Sequence, residues 1–459
     1  MSADSKMAKG QSGRAKVFRT VSPARLAAFN ILRRVEEEGA YASVLLAAND
    51  KEMRAEDRAL CYELVLGVLR WQLWLDALIE HYAGRKAESL DAPVRRSLRL
   101  GLYQLRFLSR IPHSAIVNES VNLAHVARLR SAAAFINAVL RRATREPDYD
   151  PASNAADSIE RLAIETSHPV WLIERWIKAF GKDETEKFAR ANNEAPPVAF
   201  RIISQQGNVD EVLNALRSAG GIIQASKIAL DAWRIHGATA LLQKLAREGK
   251  VYLQDEASQL VAHVLDAKSG ERVLDVCAAP GGKTTQIATR TPDPLIIVAG
   301  DLHEHRARTV VEAARRQGVK NLQIIVHDAE TALPFHENSF DRVLVDAPCT
   351  GTGTLRRNPE IRWRITTLDI ADLAERQKRI LAHAAQMVKP GGRLVYSTCS
   401  IEPEENEEVV ADFLNGNAHF KLISANVAPA FQTTDGEARV WPQRDGADGF
   451  FIAQFERTG

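Results

Sequence analysis

Two cysteines stand where a sheet would present its chemistry: Cys349 in VLVDAPCTGTG (343–353) and Cys399 in VYSTCS (395–400). Each follows an apolar, β-branched run that reads as a buried strand. In open α/β sheets ligands sit outside the carboxyl ends of the strands, so a thiol just past a strand end is well placed. As a thiolate, either sulphur could act as a nucleophile. Asp346 lies in the same DAPC stretch as Cys349. Cys399 precedes a helix start expected near Pro403, and a helix N-terminus favours the thiolate. This geometry alone leaves open which thiol attacks. Of the four cysteines in the chain, Cys61 lies on an apolar helical stripe (CYELVLGVL) and reads as core. Cys277 reads as a small wall of a ligand site.

The turn DVCAAPGGKTT (275–285) follows another expected strand. Its residues Cys277, Ala278, Ala279, Pro280, Gly281, Gly282 and Lys283 let backbone approach a ligand closely, with free N–H groups at the next helix start. GGKT invites a P-loop reading, but the glycine that motif requires before Gly282 is replaced by Cys277. Lys283 either meets a ligand carboxylate or caps the site. Asp301 ends the second strand, at the spacing for accepting ribose hydroxyls. Asp328 ends the third, placed for an adenine amino group, and Asp346 ends the fourth. Acids at successive strand ends without a GxGxxG diphosphate fingerprint favour an adenosyl cofactor with an amino-acid tail, S-adenosyl-L-methionine.

Beside this constellation LRRNPEIRWR brings Arg356, Arg357, Arg362, Trp363 and Arg364. Cations with an aromatic suit a splayed single-stranded RNA, so Arg356, Arg357, Arg362 and Trp363 are expected to bind RNA. The acids of IEPEENEEVV read as the first turn of a helix, where carboxylates are favoured, rather than as a metal site.

These groups need a scaffold. From about residue 255 to 459 the pattern alternates strand and helix, the mark of a parallel, doubly wound sheet. Strands are expected at Arg272–Val276, Leu295–Ala299, Leu322–Val326, Arg342–Val345 and Arg393–Tyr396, with helices after the first three and before the fifth. FFIAQF is expected to close an edge. A smaller α+β adaptor is expected over 158–254, behind a Pro/Asp/Asn-rich linker at 146–157. Residues 21–145 carry helical apolar stripes, opened by Ser22-Pro23 as N-cap and first-turn proline. One stripe runs from Leu60 through Trp71 toward Ile79. Residues 1–20 are basic and poor in apolar residues, either a phosphate-contacting arm or a plain tail.

The 459-residue chain has a net charge of only +2, which does not by itself announce nucleic acid. No apolar run reaches the roughly 18–20 residues of a membrane span. Widely spaced cysteines without a CxxC pair argue against structural zinc and disulfides. A reducing cytoplasm, no membrane, no metal and a monomeric state are expected.

SPARLAAFNIL, GLYQLRFLSRIPHSAIVNESVNLA and FINAVLRR resemble the NusB family, an RNA-binding helical fold. Arg25, Arg33, Arg34, Arg95, Arg96, Arg141 and Arg142 would give that bundle a phosphate-contacting face. CAAPGGKT, DAPCTGTGTLRRNPEIRW, VKPGGRLVYSTCS and IEPEENEEVV resemble the RNA cytosine-C5 methyltransferases, and most of all their bacterial 16S rRNA type, which carries a NusB-like domain ahead of the catalytic one. The chain departs slightly at Thr350-Gly351, where several relatives have serine or alanine. The resemblance implies a multidomain protein: an all-α NusB-like bundle, an α+β adaptor and a Rossmann-like class I methyltransferase domain. It implies methylation of carbon 5 of a cytosine in 16S rRNA, with Cys399 as nucleophile, Cys349 assisting release and Asp346 at N3 or the amine. The flipped or looped base this chemistry needs implies an unstacked target. The alternatives are the same chemistry on tRNA and a non-catalytic RNA-binding or antitermination factor.

Overall fold

The computed structural model describes residues 21–49, 53–291 and 295–459; the basic segment 1–20 lies outside them. The chain divides into two compact units, Met1–Asn154 and Ala155–Gly459.

The first unit is helical: α1 (Pro23–Glu37), α2 (Ala42–Asn49), α3 (Ala55–Arg70), α4 (Gln72–Ala83), α5 (Ala92–Phe107), α6 (His113–Val126) and α7 (Ala133–Arg145). Their apolar stripes meet in one core that includes Ile31, Cys61, Leu64, Leu98 and Leu140. The stripe expected to continue from Leu60 to Ile79 is broken at Trp71, which leaves helical geometry and stacks on Phe107. The expected arginine face is not a single exposed surface. Arg96 is buried and bonded to Glu36 and Glu37, and Arg25 is buried against Gln104. Carboxylates four residues on neutralise Arg33 and Arg34. Polar groups buried in a helical core persist only when paired, which explains these inward guanidinium groups.

The second unit opens with α8 (Ser158–Thr166), α9 (Val170–Phe180) and α10 (Lys182–Ala191). A four-stranded antiparallel sheet follows, in the order β2-β3-β1-β4. It is built from β1 (Val198–Ile202), α11 (Val209–Ser218), β2 (Ile222–Ala225), β3 (Ala232–His236), α12 (Thr239–Arg247) and β4 (Val251–Leu253). Phe200, Leu216 and Leu242 fill the space between its helices and sheet.

The large sheet comprises β5 (Arg272–Asp275), β6 (Ile296–Asp301), β7 (Leu322–Val326), β8 (Phe340–Asp346), β9 (Val388–Thr398), β10 (Phe420–Ile423), β11 (Ala438–Val440) and β12 (Phe450–Arg457). Its helices are α13 (Glu256–Leu265), α14 (Gly282–Arg290), α15 (Glu304–Gln317), α16 (Ile361–Arg364), α17 (Thr367–Gln386), α18 (Glu407–Gly416) and α19 (Pro442–Asp445). Strand order is β10-β12-β9-β8-β5-β6-β7, with β11 on β12. The segment β9-β8-β5-β6-β7 is parallel and β12 runs antiparallel to β9. Successive residues serve opposite faces, as the period of two requires: Leu274, Val343 and Leu394 pack on one side, Val273, Leu344 and Val395 on the other.

Two expectations fail here. Among the described residues no helix follows β7; the chain turns through Asp328, Pro334 and a left-handed Asn338 before β8. FFIAQF is not an edge strand, because β12 lies between β9 and β10. Phe450–Phe455 are buried throughout, and a strand apolar on both faces belongs inside a sheet. The order reverses between β6-β7 and β8-β9 around β5, so the crevice outside β5 and β8 is the expected ligand site.

Candidate active site

That crevice is a cleft of about 380 Å³. It is lined by Cys277 and Ala279 after β5, Asp301, Leu302, His303 and Arg306 around the end of β6, and Asp328–Glu330 after β7. Asp346–Cys349 after β8, Arg376 and Ile380 of α17, and Cys399 after β9 complete it. Strand register therefore brings together Cys277, Ala279, Asp301, Asp328, Asp346, Cys349 and Cys399. Ala278, Pro280, Gly281, Gly282 and Lys283 belong to the same turn and the start of α14 but are not among the residues lining the cleft; Lys283 is tied to it through Asp346. Gly281 has φ +100°, in the region that favours glycine, and an added Cβ would lie 3.0 Å from the Val310 backbone.

The two reactive-type thiols meet: Cys349 Sγ and Cys399 Sγ are 3.2 Å apart. Adjacent parallel strands carry them, and a glycine closes the gap between their loops. Gly353 N–H donates to the Cys399 carbonyl (2.9 Å), and a Cβ on Gly353 would fall 2.2 Å from the Gly449 carbonyl oxygen. The Cys349 thiol is pushed well above the usual range, first by its hydrogen bond with Cys399 and then by burial. Burial likewise pushes Cys277 up, so this thiol stays protonated.

Asp346 is gripped from both sides. Lys283 Nζ donates to Oδ2 at 2.7 Å and Ser397 Oγ to Oδ1 at 2.9 Å. Burial works against the Lys283 charge, but the Asp346 carboxylate more than offsets it and raises the lysine. Asp301 is nearly buried, accepts from the backbone N–H of Ala279 and His303, and faces Arg306 at 3.6 Å. Asp328 is exposed and accepts the Glu330 N–H. Behind the wall, buried Asp275 accepts from Thr284 Oγ1, and burial pushes its carboxyl up to about 7.

The arginines of LRRNPEIRWR are placed differently from expectation. Arg362 is fully buried and donates to the Ser167 carbonyl (3.0 Å) and Asn193 Oδ1 (3.1 Å). Arg356 is buried facing Asp448 at 3.8 Å. Arg357 bonds Asp255 (2.8 Å) and Asp448 (2.7 Å). Guanidinium groups held by internal carboxylates and carbonyls are not presented to phosphates; Arg362, and Arg357 through the Pro197 carbonyl (3.1 Å), tie the adaptor elements to the catalytic domain. Trp363 is half-buried on α16.

Sequence reasoning missed Glu405. Read as part of a helix first turn, it lies in a short 3₁₀ turn, fully buried. It accepts from Thr350 and Ser400, the residues that follow the two thiols. The only available signal was its position in IEPEENEEVV shortly after Cys399.

Fold and cleft define a Rossmann-like methyltransferase joined to a helical NusB-type unit and a ferredoxin-like module. The profile described as 16S rRNA methyltransferase RsmB/F matches residues 262–456, the NusB family 22–145, and the RsmF/B-like ferredoxin-like domain 168–242. The probable ribosomal RNA small subunit methyltransferase B of Bacillus subtilis (strain 168) is 36% identical over 444 residues, covering 94% of this chain and 98% of its own. Ribosomal RNA small subunit methyltransferase B of Vibrio cholerae is 35% identical over 432 residues, covering 94% and 96%. The crystal structure of PH0851 superposes with a TM-score of 0.82 at 30% identity, over 95% of this chain and 99% of that one. The chain belongs to the RsmB/F family of 16S rRNA methyltransferases, whose cofactor is S-adenosyl-L-methionine. The cleft fits that cofactor: carboxylates at successive strand ends accept from hydroxyl and amino groups and favour a sulphonium charge, and would repel the phosphates of a nucleotide. Among the described residues no cluster of His, Cys, Asp and Glu could hold a metal ion, and no helix is long and apolar enough to cross a membrane.

Proposed function

We propose that this protein methylates carbon 5 of an unstacked cytosine in 16S rRNA, in the cytoplasm, with Cys399 as nucleophile. The observation that carries the reading is the pair of thiols 3.2 Å apart beside Asp346, in the cleft of a methyltransferase sheet. S-adenosylmethionine, when bound, supplies an electrophilic methyl group. Asp301 would accept from its ribose, Asp328 from its adenine amino group, and residues 277–283 would wall its amino-acid end.

Carbon 5 is too weak a nucleophile unaided. The Cys399 thiolate adds to C6; the C5–C6 π pair moves onto C5 and N3, where Asp346 hydrogen-bonds the ring or its amine. Carbon 5 then accepts the methyl group. Loss of the C5 proton re-forms the C5=C6 double bond and expels the thiolate. Cys349 is raised by its hydrogen bond to Cys399 and by burial, which favours its protonated form in the free enzyme. The assignment of attack to Cys399 rests on the resemblance of its STCS motif to that of the RNA enzymes. Once Cys399 is bound to carbon, its hydrogen bond to Cys349 is gone and only burial still raises that thiol. Cys349 then gives its proton to solvent and, as thiolate, takes the C5 proton during release.

The test mixes wild type, Cys399→Ala and Cys349→Ala with methyl-labelled cofactor and either 16S rRNA or tRNA. The expected result is label in 16S rRNA from wild type, a covalent RNA–protein band from Cys349→Ala, and neither from Cys399→Ala. A band on Cys399→Ala reverses the two roles. Label in tRNA alone overturns the substrate.

A further inference from the structure

We propose that Glu405 is a positioning residue that holds the two cysteine loops at the separation product release requires. This rests on the proposed division of roles between Cys399 and Cys349. Glu405 Oε1 accepts from the Thr350 N–H and Gln377 Nε2, both at 2.9 Å. Oε2 accepts from the Thr350 and Ser400 hydroxyls, which are themselves 3.1 Å apart. One carboxylate thus bonds the residue after Cys349 and the residue after Cys399. Gln377 extends the clamp to the Pro348 carbonyl at 2.9 Å, on the other side of Cys349. Tyr396, on β9, donates to the Glu405 carbonyl at 2.6 Å and fixes the turn that carries it.

The clamp bears mainly on one loop. Cys399 is continuous with β9, which is paired along both sides, and Ser400 also bonds Thr352 and Thr398. Cys349 lies beyond the last paired residue of β8. The residues on either side of it, Pro348 and Thr350, are held by Gln377 and Glu405, while Thr352 and Gly353 tie the loop to Ser400 and Cys399 only further along. Removing Glu405 therefore loosens Cys349 and leaves the nucleophile in register. Attack continues while release slows.

Glu405→Ala, Glu405→Gln, Cys349→Ala and wild type are compared for covalent RNA–protein fraction, kcat and KM. Glutamine keeps an oxygen toward the two N–H donors, and the hydroxyls can rotate to accept from its amide. The expected result for Glu405→Ala is a raised covalent fraction and a kcat lowered about tenfold or more, as for a displaced catalytic group, with KM for S-adenosylmethionine unchanged. Glu405→Gln restores most of the turnover. If the alanine chain does not fold, Glu405→Asp, with a shorter reach, is expected to show the same accumulation to a smaller degree. If Cys349→Ala accumulates adduct and the Glu405 variants do not, the inference is overturned alone. If Cys349→Ala accumulates none, the role given to Cys349 fails and the inference falls with it.

Discussion

At the scale of single residues, burial and hydrogen bonding set the protonation of several groups in and behind the cleft. Asp275 is the clearest case. Its native carboxyl holds a proton until about pH 7, whereas the free carboxyl loses it near 3.8. Between those values the unfolded chain binds fewer protons, so this group's contribution to stability falls as pH rises. Asp275→Asn removes that titration. The melting temperature of the variant relative to wild type is expected to rise between pH 5 and pH 7.5, as read by calorimetry; a constant difference would refute the assignment. The residue types were legible in the sequence: Cys349, Cys399, Asp346, Asp301 and Asp328 all line the cleft. The destinations of Arg356, Arg357 and Arg362 were not, because a guanidinium's partners lie far along the chain: Arg362 bonds Ser167, Asn192 and Asn193.

At the scale of elements, the adaptor and α14 are coupled by a buried arginine, with Gln205 bonding the Thr289 carbonyl at the surface. Arg201 of β1 is buried and donates to Thr285 Oγ1 (2.9 Å), Gln317 Oε1 (2.8 Å) and the Gly282 carbonyl (3.3 Å). Its guanidinium also lies over the Tyr252 ring, whose edge backs Gly282. Arg201→Ala removes a donor to buried Gln317 Oε1 at the end of α15 and unties Thr285 and Gly282 of α14, at a cost of about 2–3 kcal/mol. Urea denaturation is expected to show that loss, and titration calorimetry a weaker affinity for S-adenosylmethionine. Helix α17 offers a contrasting case. Thr366 and Asp369 form a reciprocal capping box at its exposed start. Thr366→Ala is expected to lower stability by about 1 kcal/mol with turnover unchanged, since the box is remote from the thiols. Element positions followed from periodicity and turn chemistry, which are local. The missing helix after β7 and the interior place of β12 depended on pairings between distant strands.

At the scale of the whole molecule, each compact unit carries its own apolar core, one from Ala24 to Ala143 and others within the second unit. Residues 155–459 expressed alone are therefore expected to unfold cooperatively and to bind S-adenosylmethionine as the full chain does, read by calorimetry. Failure to fold would show that the second unit needs the first.

The sequence by itself determined most of the order of strands and helices, though not the missing helix after β7, together with the acids and thiols at the strand ends and the cofactor class they suit. Those features rest on short-range patterning, turn geometry and side-chain chemistry, all written within a few residues. Tertiary structure alone decided that Cys349 and Cys399 touch, that Glu405 clamps their loops, and that the neighbouring arginines turn inward. The two thiols are 50 positions apart and Glu405 is 55 from Thr350. Contacts across such distances are set by strand order and register, which no local pattern encodes.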